Sequence, residues 1–190
     1  MSEKKIIISD HISYKESITT STGIDNTPDA EHIINMVAIA ENIFEPLREG
    51  LGGHPIRINS MFRSKGVNKA IGGAYRIVNG KYVATSQHCK GQAIDMDGIK
   101  SSNAEIFFYI LDHLDFDQLI WEKGDKDNPD WIHVSYVSPS KNRNKVLTFD
   151  GKKYYRYKSG AVNRPKSMKR NLDLGNVESN GKAKKKSEEI

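Results

Sequence analysis

TSQHCKGQAIDMDG, residues 85–98, sets His88 beside the single cysteine, Cys89, and puts Asp95 seven positions further on, with Gly91 between them. A second stretch, DWIHVSY at residues 130–136, brings His133 in an alternating apolar and polar run. Gly91 lets the chain turn between His88 and Asp95, so both side chains can address one point, and His133 arrives from a separate strand. Two imidazoles and one carboxylate form the donor set of an open zinc site, with the fourth position left to water. A single carboxylate leaves such a site net positive, which favours an ionised water and a polarised carbonyl. One cysteine excludes an internal disulfide and any multi-cysteine zinc site. Taken one at a time, histidines are ordinary surface or core residues. His11, His32, His54 and His113 have no comparable neighbours, and His32 and His113 fall within helical patterns.

Outward from these stretches the chain reads as helix, strand, loops, strand, helix and then several strands. TPDAEHIINMVAIAENIFEPLREG predicts one helix, with Thr27 as N-cap, Pro28 at its first position and a kink at Pro46. Ile33, Ile34, Val37, Ala40, Ile43, Phe44 and Leu47 recur at helical spacing and mark its buried face. PIRINSMF and QAIDMD alternate as strands, and RSKGVNKAIGGAY is a turn with a short helix. RIVNGKYVAT is a hairpin or long loop around Asn79-Gly80. SSNAEIFFYILDHL is a helix capped by Ser101 or Ser102. DQLIWE and WIHVSYV are strands separated by the turn-rich KGDKDNPD, and KVLTFDGKKYYRY is a hairpin turning at Asp150-Gly151. The order predicts an α+β fold, a central antiparallel sheet with flanking helices.

The chain of 190 residues has room for one domain with a sizeable core. The net charge of +5 is unevenly placed: residues 1–163 hold 21 basic and 20 acidic side chains, residues 164–190 hold 8 and 4. The expected organisation is a domain over 1–163 and a disordered basic tail over 164–190. The nearly neutral body argues against a nucleic-acid-binding domain, and the tail's KAKKK run is diluted by Glu178, Glu188 and Glu189. No apolar run is long enough for a membrane span, and the N-terminus shows no signal-peptide core or cleavage site.

SQHCKGQAID together with DWIHVSY resembles the zinc D-Ala-D-Ala carboxypeptidase family, which shares its fold with hedgehog-type domains. Ser86, His88, Gly91, Ala93 and Asp95 fill the pattern Ser-x-His-x-x-Gly-x-Ala-x-Asp, and Asp130 with His133 fill the later acidic-x-x-His. GIDNTP, EPLRE, INSMFRS, NKAIGGA and FDQLIWE extend the likeness over about residues 8–140. The resemblance implies one Zn2+ held by His88, Asp95 and His133, with Asp130 as general base. It implies Arg63 as the group that binds the substrate carbonyl or the developing oxyanion, and Ser86 as a supporting hydrogen-bond partner. MFR replaces the family's usual GYR, so Phe62 supplies no hydroxyl. Adjacent side chains diverge on an extended segment, which keeps Cys89 off the metal. DMDG lacks the further ligands of a calcium loop, and Asp125 and Asp127 belong to a solvated turn.

The implied activity is hydrolysis of the peptide stem of bacterial peptidoglycan, as carboxypeptidase or endopeptidase, in a phage lysis or virion-associated enzyme. Such a protein is expected as a monomer in the bacterial cytoplasm or virion before it meets the wall. The competing expectation is a zinc-binding structural or virion protein without catalysis. Against it stand Asp130 and Arg63 beside an intact ligand set.

Overall fold

The computed structural model describes residues 6–168. The described chain opens with two short strands, β1 (Ile7–Ser9) and β2 (Ile12–Ser13), and one turn of helix, α1 (Tyr14–Ser17). Strands of three and two residues carry too little alternation to be read from sequence. They are held by Ile8 and Ile12, both buried.

The long helical stretch is not one helix. Helix α2 (Ala30–Ile39) starts later than expected, because Asp29 rather than Thr27 caps it. Asp29 Oδ1 accepts from the His32 amide at 3.0 Å, and the Asp29 amide donates to His32 Nδ1 at 3.2 Å. Ala40–Phe44 then widen into a π turn before α3 (Glu45–Gly50). A proline ring clashes with the carbonyl four residues back, so the wider turn ahead of Pro46 takes up the strain that the sequence suggested as a kink. Met36, Ile39, Ile43, Phe44 and Leu47 are buried. Ile34 is not: it lies off that stripe, 67% exposed.

Strand β3 (Ile56–Ser60) and α4 (Lys65–Ala70) follow, then the hairpin of β4 (Tyr75–Val78) and β5 (Lys81–Ala84). Asn79 and Gly80 turn that hairpin with φ of 50° and 73°, as their residue types foretell. A 3-10 turn (Gln87–Lys90) leads into β6 (Ala93–Gly98). Helix α5 (Asn103–His113) is capped by Ser102 in a capping box with Glu105. Strands β7 (Gln118–Glu122), β8 (Trp131–Ser135), β9 (Lys145–Phe149) and β10 (Tyr154–Arg156) complete the sheet.

The main sheet has six strands in the order β10-β9-β7-β8-β6-β3. Every pair in it is antiparallel except β7 with β9, which is parallel. After β8 the chain crosses the start of β7 and joins its far side, so Lys145 pairs with Gln118. The architecture is mixed α and β, and the sheet departs from the purely antiparallel expectation at this one crossing.

Period-2 alternation decides what the two faces carry. Ile94, Met96, Leu119, Trp121, Ile132 and Val134 are buried in the core, where Phe107 of α5 meets the Trp121 ring edge-on at 5.2 Å. Side chains of that size contribute about 1.5–3 kcal/mol each on burial. The intervening positions, Asp95, His133, Ile120 and Glu122, line a cleft on the other face.

The folded unit runs past residue 163. Arg164 pairs with Asp112 of α5 and lies over the Phe108 ring at 4.1 Å. Ser167 donates to Glu105 at 2.7 Å, and Met168 packs on the core. Residues 164–168 of the expected tail thus pack on the folded unit, and residues 169–190 lie outside the described residues. Among the described residues no helix is long and apolar enough to cross a membrane.

Candidate metal centre

Asp95 and His133 are direct cross-strand partners on the adjacent strands β6 and β8. His88 stands on the 3-10 turn just before β6, and that turn closes at Gly91, with φ of 69°. A Cβ at Gly91 would lie 2.5 Å from the His32 carbonyl oxygen, so the position excludes a side chain on both counts. Asn35 of α2 donates to the Lys90 carbonyl at 2.8 Å and ties the same turn to the helix. The turn that sequence attributed to Gly91 is thus also a docking point on α2.

Three donor atoms converge. His88 Nε2 lies 3.2 Å from His133 Nδ1 and 3.2 Å from Asp95 Oδ1, and His133 Nδ1 lies 2.8 Å from Asp95 Oδ1. Tetrahedral zinc with bonds of about 2.0–2.1 Å needs its ligands about 3.3 Å apart, so the donor set and its spacing fit the ion. Among the described residues these three form the group able to hold a metal. His88 Nδ1 faces the Met61 carbonyl at 2.7 Å. A carbonyl oxygen can only accept, which puts the proton on Nδ1 and leaves the Nε2 lone pair for a metal. Asp95 divides its oxygens: Oδ1 meets the two imidazoles, while Oδ2 accepts from Arg63 Nη2. Arg63 is held by its own Nε–H, which donates to Ser60 Oγ at 2.7 Å.

Charge follows the same arrangement. Burial pushes the His88 imidazole towards its neutral, metal-binding form. Burial would raise the Asp95 carboxyl, but the facing imidazoles hold it well below the usual range. Burial also raises Glu122, to about 7. Asp117, at 2% exposure, would rise by burial too; hydrogen bonds from Arg143 and Gln87 hold it below the usual carboxylate range. Gln87 belongs to the His88 turn and donates to Asp117 at 2.9 Å, so the Asp117–Arg143 pair braces the turn from β7's side.

The cleft over these atoms has a volume of about 960 Å³. One wall comes from residues 71–74 and the His88 turn. The other comes from the β8–β9 crossing and the β9–β10 hairpin, with Lys141, Arg143, Phe149 and Tyr154 among its side chains. Arg63 lines the cleft as expected.

Asp130 does not join the cluster. Its amide donates to the Glu122 carbonyl at 2.9 Å, in a bend just ahead of β8. Trp131 and His133 line the cleft, and Asp130 is exposed and absent from that lining. Its carbonyl accepts from Asn103 of α5 at 3.0 Å, behind the sheet. Ser86 lines the cleft as the residue before the turn, and the partner that His88 takes is Met61 instead. Cys89 is half-buried outside the donor group. Asp97 binds Arg57 and Asn59, and Asp125 accepts from the amides of Asp127 and Asn128 in a turn. The other histidines serve locally: His11 meets Glu45, His54 meets Ser101, and the His113 ring lies tilted against Tyr109.

Glu122 carried no expected role. Its signal in the sequence is a lone acid ending the apolar strand QLIWE, and its place beside His133 appears once the β7–β8 register is known. The family model described as Peptidase M15 matches residues 10–135, about two thirds of the chain, while no curated protein matches it. The chain belongs to the peptidase M15 family.

Proposed function

We propose that this member of the peptidase M15 family is a zinc-dependent metallopeptidase that hydrolyses peptide bonds in the stem of bacterial peptidoglycan. The observation that carries the reading is the triangle of His88 Nε2, Asp95 Oδ1 and His133 Nδ1 at the base of an open cleft. The family is one of zinc-dependent peptidases, and the donor types and spacing suit that ion. A zinc ion held there by His88, Asp95 and His133 would supply Lewis acidity to the scissile carbonyl and make water more acidic.

The chain's own residues supply the rest. Arg63 spends Nε on Ser60 and Nη2 on Asp95, which fixes its guanidinium plane at the cleft floor. From there the remaining N–H groups point positive charge at an oxygen gaining negative charge. Lys90, Lys141 and Lys145 line the cleft and suit a substrate with free carboxylates, as peptidoglycan stems have. A lysis or virion-associated role in phage is the setting we infer, and a single chain contains the whole constellation.

The test is metal analysis of the purified protein together with release of new amino groups from purified peptidoglycan. Expected are one zinc per chain and a release that chelator abolishes and added zinc restores. A zinc-loaded protein that releases nothing from peptidoglycan would overturn the assignment in favour of a non-catalytic metal-binding protein.

A further inference from the structure

We propose that Glu122 is the general base of this site, the carboxylate that takes the proton of the attacking water; the proposal rests on the peptidase reading above. Register places it. Ile120 of β7 stands opposite His133 of β8, and Glu122 stands opposite Trp131, two positions along the same face. Glu122 is thus the diagonal cross-strand neighbour of a ligand, with backbones about 7–8 Å apart, a span that a glutamate side chain and one water cover.

The environment singles it out. Glu122 is 6% exposed and lines the cleft. No hydrogen bond or ion pair reaches its carboxylate among the described residues. The other two carboxylates of the lining are engaged: Asp95 with His88, His133 and Arg63, Asp117 with Arg143 and Gln87. Burying a carboxylate without partners is unfavourable, and a water-filled cleft is what remains for it to face. Asp130, the acid that the motif suggests, is exposed and absent from the cleft lining.

The step balances. A water oxygen bonds to the carbonyl carbon as one of its protons passes to a Glu122 oxygen. Glu122 then gives that proton to the amide nitrogen as the C–N bond breaks. The products are a carboxylic acid, which ionises, and a free amine; Glu122 returns to its carboxylate form.

The experiment compares zinc-loaded Glu122→Gln and Asp130→Asn with the unmodified protein. Readouts are zinc per chain, KM and kcat for amino-group release from solubilised peptidoglycan fragments, and the pH–rate profile. Glu122→Gln should keep one zinc and an unchanged KM, lose about 10²–10⁴-fold in kcat, and lose the acid limb of the profile. Zinc lost from Glu122→Gln would make it a structural support and overturn the proposal. So would a kcat within a few-fold of normal, or turnover lost in Asp130→Asn and kept in Glu122→Gln. Those results leave the peptidase reading standing, whereas an unmodified, zinc-loaded protein without turnover removes both.

Discussion

Glu122→Gln also tests the burial argument with no catalysis involved. In chelator-treated protein the carboxyl is raised to about 7 from an ordinary 4.5. A carboxyl raised in the folded state adds nothing unfavourable while protonated. Its penalty appears as pH rises past the unfolded value and is complete above the folded one. At about 1.4 kcal/mol per pH unit the full penalty is about 3 kcal/mol, and about 2.5 kcal/mol of it develops between pH 5 and 8. Glutamine matches the neutral acid in shape and never ionises. The variant should therefore melt close to the unmodified protein at pH 5 and about 5–10 °C above it at pH 8. Thermal melts in chelator at the two pH values measure this directly. A difference in melting temperature that stays constant between them would refute a desolvated Glu122.

Three other outcomes are expected. Gly91→Ala should cost at least about 1–3 kcal/mol and weaken zinc binding, since the new Cβ meets the His32 carbonyl at a positive φ; an unchanged melt would contradict the turn's geometry. Arg143→Ala strands the buried Asp117 and should cost about 1–2 kcal/mol at neutral pH, discounted because Arg143 is half exposed. Because Asp117 is lowered in the folded state, that deficit should shrink as pH falls towards 3, and one that persists would point elsewhere. Removing residues 169–190 should leave the melt and the hydrolysis of soluble peptides unchanged, while lowering the rate on intact walls at low salt, where a basic segment attracts an anionic polymer. Equal loss on both substrates would place that segment in the fold.

The candidate metal-binding group was legible because its residues sit close to glycine and strand signals that sequence displays. His88, Gly91 and Asp95 lie within eight residues, and His133 occupies the polar phase of an apolar strand. The place of Glu122 was not, because it depends on which strand lies beside which. Asp130 is near His133 in sequence yet outside the cleft lining, while Glu122 is distant in sequence and lines the cleft from the neighbouring strand. The same limit hid the parallel β7–β9 pair, which no local pattern announces. Helix α2 was misjudged at its start for a different reason: Thr27 and Asp29 are both good caps, and the contact with His32 decides between them.

One of the two cleft walls belongs to different segments from the floor. Asp95 and His133 are joined through neighbouring central strands, whereas Lys141, Arg143, Phe149 and Tyr154 come from the β8–β9 crossing and the terminal hairpin. Distant substitutions without shared partners act additively. Diversifying positions 71–74, 141 and 154 should therefore alter what the cleft accepts while its floor is left untouched. In descent as in the laboratory, the far wall and the His-Asp-His floor can change on separate schedules.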